Sequence, residues 1–162
     1  MLAYSRMGWL TMVELQVKGL MELRAKLGKV KFSEVFTPIM TAATVAAKGK
    51  IAKYPPSSAA NSSGQKRWYE RGYGSKWRVK DGSIHGRKTS QMLGKSWTTK
   101  VEDGGMRGIV GTKVTYAPWV QDRNRQASYH RRRGWVTVQD VAEKYGAEIV
   151  AKLERAIKAL LG

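Results

Sequence analysis

The sequence predicts an α+β fold: a small antiparallel sheet packed against two or three helices, with a long basic-aromatic loop or hairpin inserted between them. Three observations lead there. An apolar period of two residues runs through Met12-Val-Glu-Leu-Gln-Val-Lys18, and periods of three and four residues run from Val138 to the end. Between them, Asp103-Gly104-Gly105 is a strong turn tripeptide flanked by two strand-like runs. The order strand, helix, helix, basic loop, two strands, helix then fits one layer of antiparallel sheet against helices. At 162 residues the chain is expected to form a single domain over 12–162, preceded by an N-terminal arm over 1–11.

The elements follow in order. Val13, Leu15 and Val17 face one way and Glu14, Gln16 and Lys18 the other, as in a half-buried strand that Gly19 breaks. Leu20, Leu23 and Leu27, spaced among charged residues, predict a short amphipathic helix ended by Gly28. A second helix is expected from Thr37-Pro38, since Thr caps and Pro suits the first turn, to about Lys53, with Ala42, Ala43, Ala46, Ala47 and Ala52 giving it a small-residue surface. The breaker cluster Tyr54-Pro55-Pro56 to Gly64 ends it and opens the insertion over 54–88. Asn61-Ser62-Ser63 matches a glycosylation triplet, read here as chance. Thr89 to Trp97 is a turn into a strand, and Lys95–Val101 with Met106–Val114 should form a hairpin about the Gly-Gly turn. Pro118 marks a sheet edge or the end of pairing, and Gln121 to Arg133 is a polar, basic stretch. Thr137, with Asp140 three residues on, caps the closing helix over 138–161.

Charge is the strongest compositional signal. Thirty Lys and Arg stand against twelve Asp and Glu, a net charge of +18. Residues 61–137 carry seventeen basic and five acidic side chains, whereas 138–162 carry four of each, so the field belongs to the middle of the chain. Such a field attracts nucleic acid, acidic proteins or anionic lipid, and a solvated basic surface is the plainer alternative. The absence of Cys excludes a disulfide scaffold, thiolate-ligated metal and a thiol nucleophile. No apolar run reaches the roughly 18 residues of a membrane span, and the first residues lack the pattern of a signal peptide, so a cytosolic product without membrane association is expected.

No constellation for catalysis stands out. His85 and His130, the only histidines, sit beside Arg or Lys, which disfavours protonation and supplies none of the carboxylate partners that orient a metal-bound imidazole; both read as polar loop residues. Phosphate loop, nucleophile-elbow and zincin motifs are missing, and Gly104-Gly105 fits a hairpin turn better than a phosphate cradle. No catalytic residue, metal or cofactor is therefore expected. Binding remains. Lys66, Arg67, Arg71, Lys76 and Arg78 interleave with aromatics, and Arg123, Arg125, Arg131, Arg132 and Arg133 cluster in the later stretch; both sets are expected to contact nucleic acid or an acidic partner. Trp68, Tyr69, Tyr73, Trp77, Trp119 and Trp135 are expected at a subunit interface, where aromatics are enriched, or else in the core.

The run Val13-Glu-Leu-Gln-Val-Lys-Gly-Leu-Met-Glu-Leu23 followed by an Ala-rich helix resembles the start of a family of head-to-tail joining proteins of long-tailed bacteriophages, variously called neck, tail-completion or minor tail proteins. Thr89-Ser-Gln-Met-Leu-Gly-Lys-Ser-Trp97 is similar to that family's turn into a strand, with Ser90 where the family has Gly. Val110-Gly-Thr-Lys-Val-Thr-Tyr-Ala-Pro-Trp-Val120, Gln121-Asp122, Gln126-Ala-Ser-Tyr-His130 and Gly134-Trp-Val-Thr137 carry the likeness to the closing helix, while the insertion shares only Tyr54-Pro55-Pro56 and its basic-aromatic character. The resemblance implies a non-enzymatic virion component assembled in the host cytoplasm. It would form a homo-oligomeric ring, hexameric or dodecameric, among connector, neck and tail-tube proteins, with non-specific contact to packaged double-stranded DNA. A nucleic-acid-binding module outside any virion is the alternative, and an enzyme with a cryptic site gathered by the fold is the third reading.

Overall fold

The interior forms where Phe32, Phe36, Met40, Ala47 and Ile51, on one face of a helix, meet Val13, Trp97 and Val110 from a sheet and Val138, Val141 and Leu153 from the last helix. The computed structural model describes residues 11–16, 20–71, 73–88 and 91–161. Apart from Thr11, the N-terminal arm lies outside them, as do Val17 to Gly19 and the Thr89-Ser90 turn. The element order is β1 (Thr11–Gln16), α1 (Leu20–Leu27), α2 (Lys29–Ile51), β2 (Arg67–Glu70), β3 (Tyr73–Arg78), β4 (Ile84–Lys88), α3 (Met92–Lys95), β5 (Thr98–Glu102), β6 (Arg107–Thr112), α4 (Ala117–Gln121), α5 (Ser128–Arg132) and α6 (Val138–Leu161), with a 3-10 turn at Asp103–Gly105. Two antiparallel sheets result, ordered β1-β6-β5 and β2-β3-β4.

The first sheet carries the body, with α2 laid across β5 and β6 and α6 against α2 and β1. The predicted hairpin is present, paired from Thr98 opposite Gly111 to Glu102 opposite Arg107. Its turn needs glycine for packing as well as for backbone sign. Gly105 has a φ of 96°, and a Cβ there would sit 2.6 Å from the α2 backbone at Phe36 and Thr37. Glu14, expected on the wet face, is buried. Arg107 on the central strand reaches both outer strands, donating to Glu14 at 2.8 and 2.9 Å and to Glu102 at 2.9 Å. That bracing cation is what permits a carboxylate there.

Three local expectations change. The second helix starts at Lys29, directly after Gly28, and carries Pro38 in its interior. Phe32 and Phe36, their rings stacked at 4.2 Å, are fully buried, and that burial carries the helix through the proline. The 54–88 insertion holds a three-stranded antiparallel sheet, one strand more than a hairpin. Its tip is ordered: Val79 N–H donates to the Ser83 carbonyl at 2.9 Å, and the Asp81 carboxylate accepts from Ser83 N–H at 2.8 Å and from its hydroxyl at 2.6 Å. The Tyr116–Arg133 stretch holds the two short helices α4 and α5, with Pro118 in the first turn of α4. The closing helix begins where expected. Thr137 Oγ1 accepts from Asp140 N–H at 3.1 Å while the Asp140 carboxylate accepts from Thr137 N–H at 2.9 Å, a reciprocal cap worth about 1 kcal/mol.

Candidate functional site: an aromatic cleft beside a basic surface

A second, smaller core of Leu93, Val114, Ala117, Val120 and Trp135, flanked by Tyr54 and Tyr69, lies away from the main sheet. Above it opens a cleft of about 400 Å³ walled by Tyr54, Tyr69, Tyr116, Trp119, Tyr129, His130 and Trp135, with Gly74, Met92, Leu93 and Val120 between them. Four separate segments supply these walls, and buried amides bring them together. Gln121, fully buried, donates to the Ile51 carbonyl at 2.5 Å and so joins α4 to the end of α2. Gln126 donates to the carbonyls of Val120 at 2.7 Å and Trp135 at 2.9 Å. Gly134, at a φ of 83°, ends α5 in a left-handed turn: its N–H reaches the Arg131 carbonyl and that of Trp135 reaches His130. The chain thereby folds Trp135 back under the cleft.

Asn61 fastens the second sheet to this core. Its amide accepts from Tyr69 N–H at 2.6 Å and donates to the carbonyls of Tyr69 at 3.0 Å and Pro56 at 3.2 Å, so it serves as a surrogate strand. Both amide atoms being used and the residue buried, Asn61 is no glycan acceptor. Arg133 adds a 2.5 Å bond from Nε to the Arg67 carbonyl. Side chains therefore occupy the outward edge of β2 at Arg67 and Tyr69. The opposite edge, β4, is exposed from Ile84 to Arg87 and has no further strand beside it among the described residues.

His130 is not the polar loop residue expected. It is buried on α5, its Nδ1 3.1 Å from the Tyr69 hydroxyl. Burial, aided by the nearby Arg133 guanidinium, holds its pKa down at about 4, so it is the neutral ring that shares this hydrogen bond with the Tyr69 hydroxyl. Burial likewise pushes the Tyr69 phenol well above its ordinary value. His85 lies on β4, 3.2 Å from the Ser83 hydroxyl and stacked on Trp77.

The expected aromatic set divides. Trp68 and Trp135 are buried within the chain, Tyr69 and Trp77 are half-buried, and Tyr73 and Trp119 remain exposed. The basic set divides too. Arg123 is held by Asp140 at 2.7 Å and by Glu143 at 2.6 Å, tying the loop to α6. Those carboxylates keep its guanidinium charged, and it in turn holds the Glu143 carboxyl below its usual range. Lys76 pairs with Glu70 and lies over the Tyr73 ring, Arg78 donates to the Ser63 carbonyl, and Arg131 to that of Arg123. Lys66, Arg67, Arg71, Arg125 and Arg132 are exposed and make no side-chain hydrogen bond or ion pair among the described residues.

Sequence reasoning missed Tyr54, Tyr116 and Tyr129 of the cleft, and a neighbouring hollow of about 560 Å³ where Lys53, Arg71 and Lys95 gather with no acid among the lining residues. The available signal was aromatics beside chain breakers, in Tyr54-Pro55-Pro56 and Tyr116-Ala-Pro-Trp119. Among the described residues no cluster of His, Cys, Asp and Glu is arranged to hold a metal ion, and no helix is long and apolar enough to cross a membrane. In comparisons with protein-family models, curated proteins and solved structures, none matches the chain.

Proposed function

We propose that this chain is a structural subunit of the head-to-tail joint of a long-tailed bacteriophage. It works without catalysis or cofactor, as one member of a homo-oligomeric ring in contact with neighbouring neck and tail proteins. The observation that carries the reading is the pairing, on one small body, of two unlike unpartnered surfaces: the aromatic cleft and the projecting basic sheet with its bare β4 edge. A ring closes by heterologous contacts, so each subunit has to present two different complementary patches. The sequence motifs that carry the phage resemblance also support it. Gln121, Gln126, Gly134 and Thr137 build the cleft and the start of α6, so the likeness falls on residues that give this body its shape.

The uncompensated cations fit the same setting. Arg71, Arg125, Arg132 and the Lys53-Arg71-Lys95 hollow offer phosphate contacts that position a duplex without reading its bases. Disrupting the gene in its parent phage is expected to yield filled heads and separate finished tails by electron microscopy, rescued by the intact gene. Infectious, fully joined particles without the gene product would overturn the reading and favour a nucleic-acid-binding module outside the virion.

A further inference from the structure

The tip of the projecting sheet is an oddity for a sequence this charged. Ile84 is 53% exposed, and Val79 beside it is exposed too, yet the turn that holds them is closed by four hydrogen bonds and is not loose. A pre-ordered turn that shows two branched apolar side chains to water carries the features of an anchor seeking a pocket. The same molecule has such a pocket. Four of its exposed large apolar residues, Met92, Tyr116, Trp119 and Tyr129, stand around the aromatic cleft, Trp119 at 58% exposure.

The two do not meet within one chain. Gly74, near the start of β3, lines the cleft, and Val79 lies five residues further along a paired strand, about 16 Å away at strand spacing. While β3 stays paired with β2 and β4, that separation is held, and neither Val79 nor Ile84 lines the cleft of its own chain.

Resting on the ring reading above, we propose that the β3–β4 tip of one copy, with Val79 and Ile84 leading, inserts into the aromatic cleft of a second copy. The knob and the hole lie on different parts of the surface, so the contact is heterologous and repeats from copy to copy until it closes. The charges flanking the tip suit the same seat. Arg78, Lys80 and Arg87 are exposed beside the tip, and cations are attracted to aromatic ring faces such as those that Tyr116, Trp119 and Tyr129 offer at the cleft. Between chains of net charge +18 the long-range field is repulsive, so the association is apolar in origin and strengthens as salt screens that field. Phosphate binding has the opposite salt dependence.

The chain has no cysteine, which allows a clean test. Full-length Ile84→Cys and Met92→Cys chains are prepared separately and mixed under mild oxidation, and covalent dimer is compared with that from each alone. Alongside, sedimentation of the wild type and of Ile84→Asp is followed from about 0.1 to 1 M salt, over which the Debye length falls from about 10 to 3 Å. The expected result is a covalent dimer gained only in the mixture. The wild-type oligomer should grow with salt and be lost in Ile84→Asp, whose melting temperature stays close to that of the wild type because Ile84 belongs to neither core. An oligomer that persists in Ile84→Asp with no mixed dimer overturns this interface and leaves a ring by other contacts standing. A chain that stays monomeric at every salt concentration overturns self-docking, while the ring reading answers separately to the gene disruption.

Discussion

Asn61 joins a loop to a strand that lie eight residues apart, and no local rule places it there. Replacing it with Leu leaves the Tyr69 N–H and the Tyr69 and Pro56 carbonyls without their partner, at about 1–3 kcal/mol for each group that water cannot reach. Asn61→Leu is therefore expected to lower the denaturant midpoint with little change in slope. His130 makes a prediction in pH. Unfolded, it takes a proton near its ordinary value of 6.5; folded, it resists until about 4. Between those values the unfolded state binds the extra proton, so stability falls as pH drops from about 6.5 toward 4, by about 3 kcal/mol at most. Melting temperatures measured across that window are expected to decline in the wild type and to flatten in His130→Gln, with the stretch from pH 6.5 to 5 the most telling. Neither role was legible in the sequence. The Asn61 triplet looks like surface chemistry, and His130 stands among arginines; both are buried only because Gly134 turns Trp135 back and Asn61 meets Tyr69, contacts between distant segments.

At the scale of elements, legibility followed the strength of the local signal. The closing helix was readable because a capping box and a long amphipathic period agree, and the hairpin because Asp103-Gly104-Gly105 leaves few alternatives. The start of α2 was not, since Pro38 reads as a first-turn residue and only the burial of Phe32 and Phe36 overrules it. That override makes the proline a local burden. Pro38 is exposed, so Pro38→Ala is expected to restore a helical hydrogen bond to the Glu34 carbonyl without disturbing the core. It should raise stability by about 1–3 kcal/mol, read as a higher melting temperature. The three-stranded sheet in the insertion was hidden for another reason. Its strands are short, polar and barely buried, and β4 is exposed from Ile84 to Arg87, so the two-residue apolar period that betrays a strand never develops.

For the whole molecule, the sequence made charge legible but not its distribution between used and unused cations. Arg123 and Lys76 serve the fold, whereas Arg71, Arg125 and Arg132 are left facing solvent. If the latter three touch phosphate, replacing them together with Gln should lower the slope of log affinity for duplex DNA against log salt by about three, one for each contact, and do so equally for unrelated sequences. Filter binding over a salt series reads this directly. The cleft was equally out of reach of periodicity, because its walls come from Tyr54, Tyr69, the Tyr116–Val120 segment and the Tyr129–Trp135 segment, each too short to show a pattern alone. A last consequence follows from the β3–β4 tip, which adds nothing to either core. Grafting a different turn over 79–83 is expected to leave the melting temperature almost unchanged while altering which chains co-sediment. On the docking proposed above, folding and choice of neighbour reside in separable stretches, and the second can diverge without endangering the first.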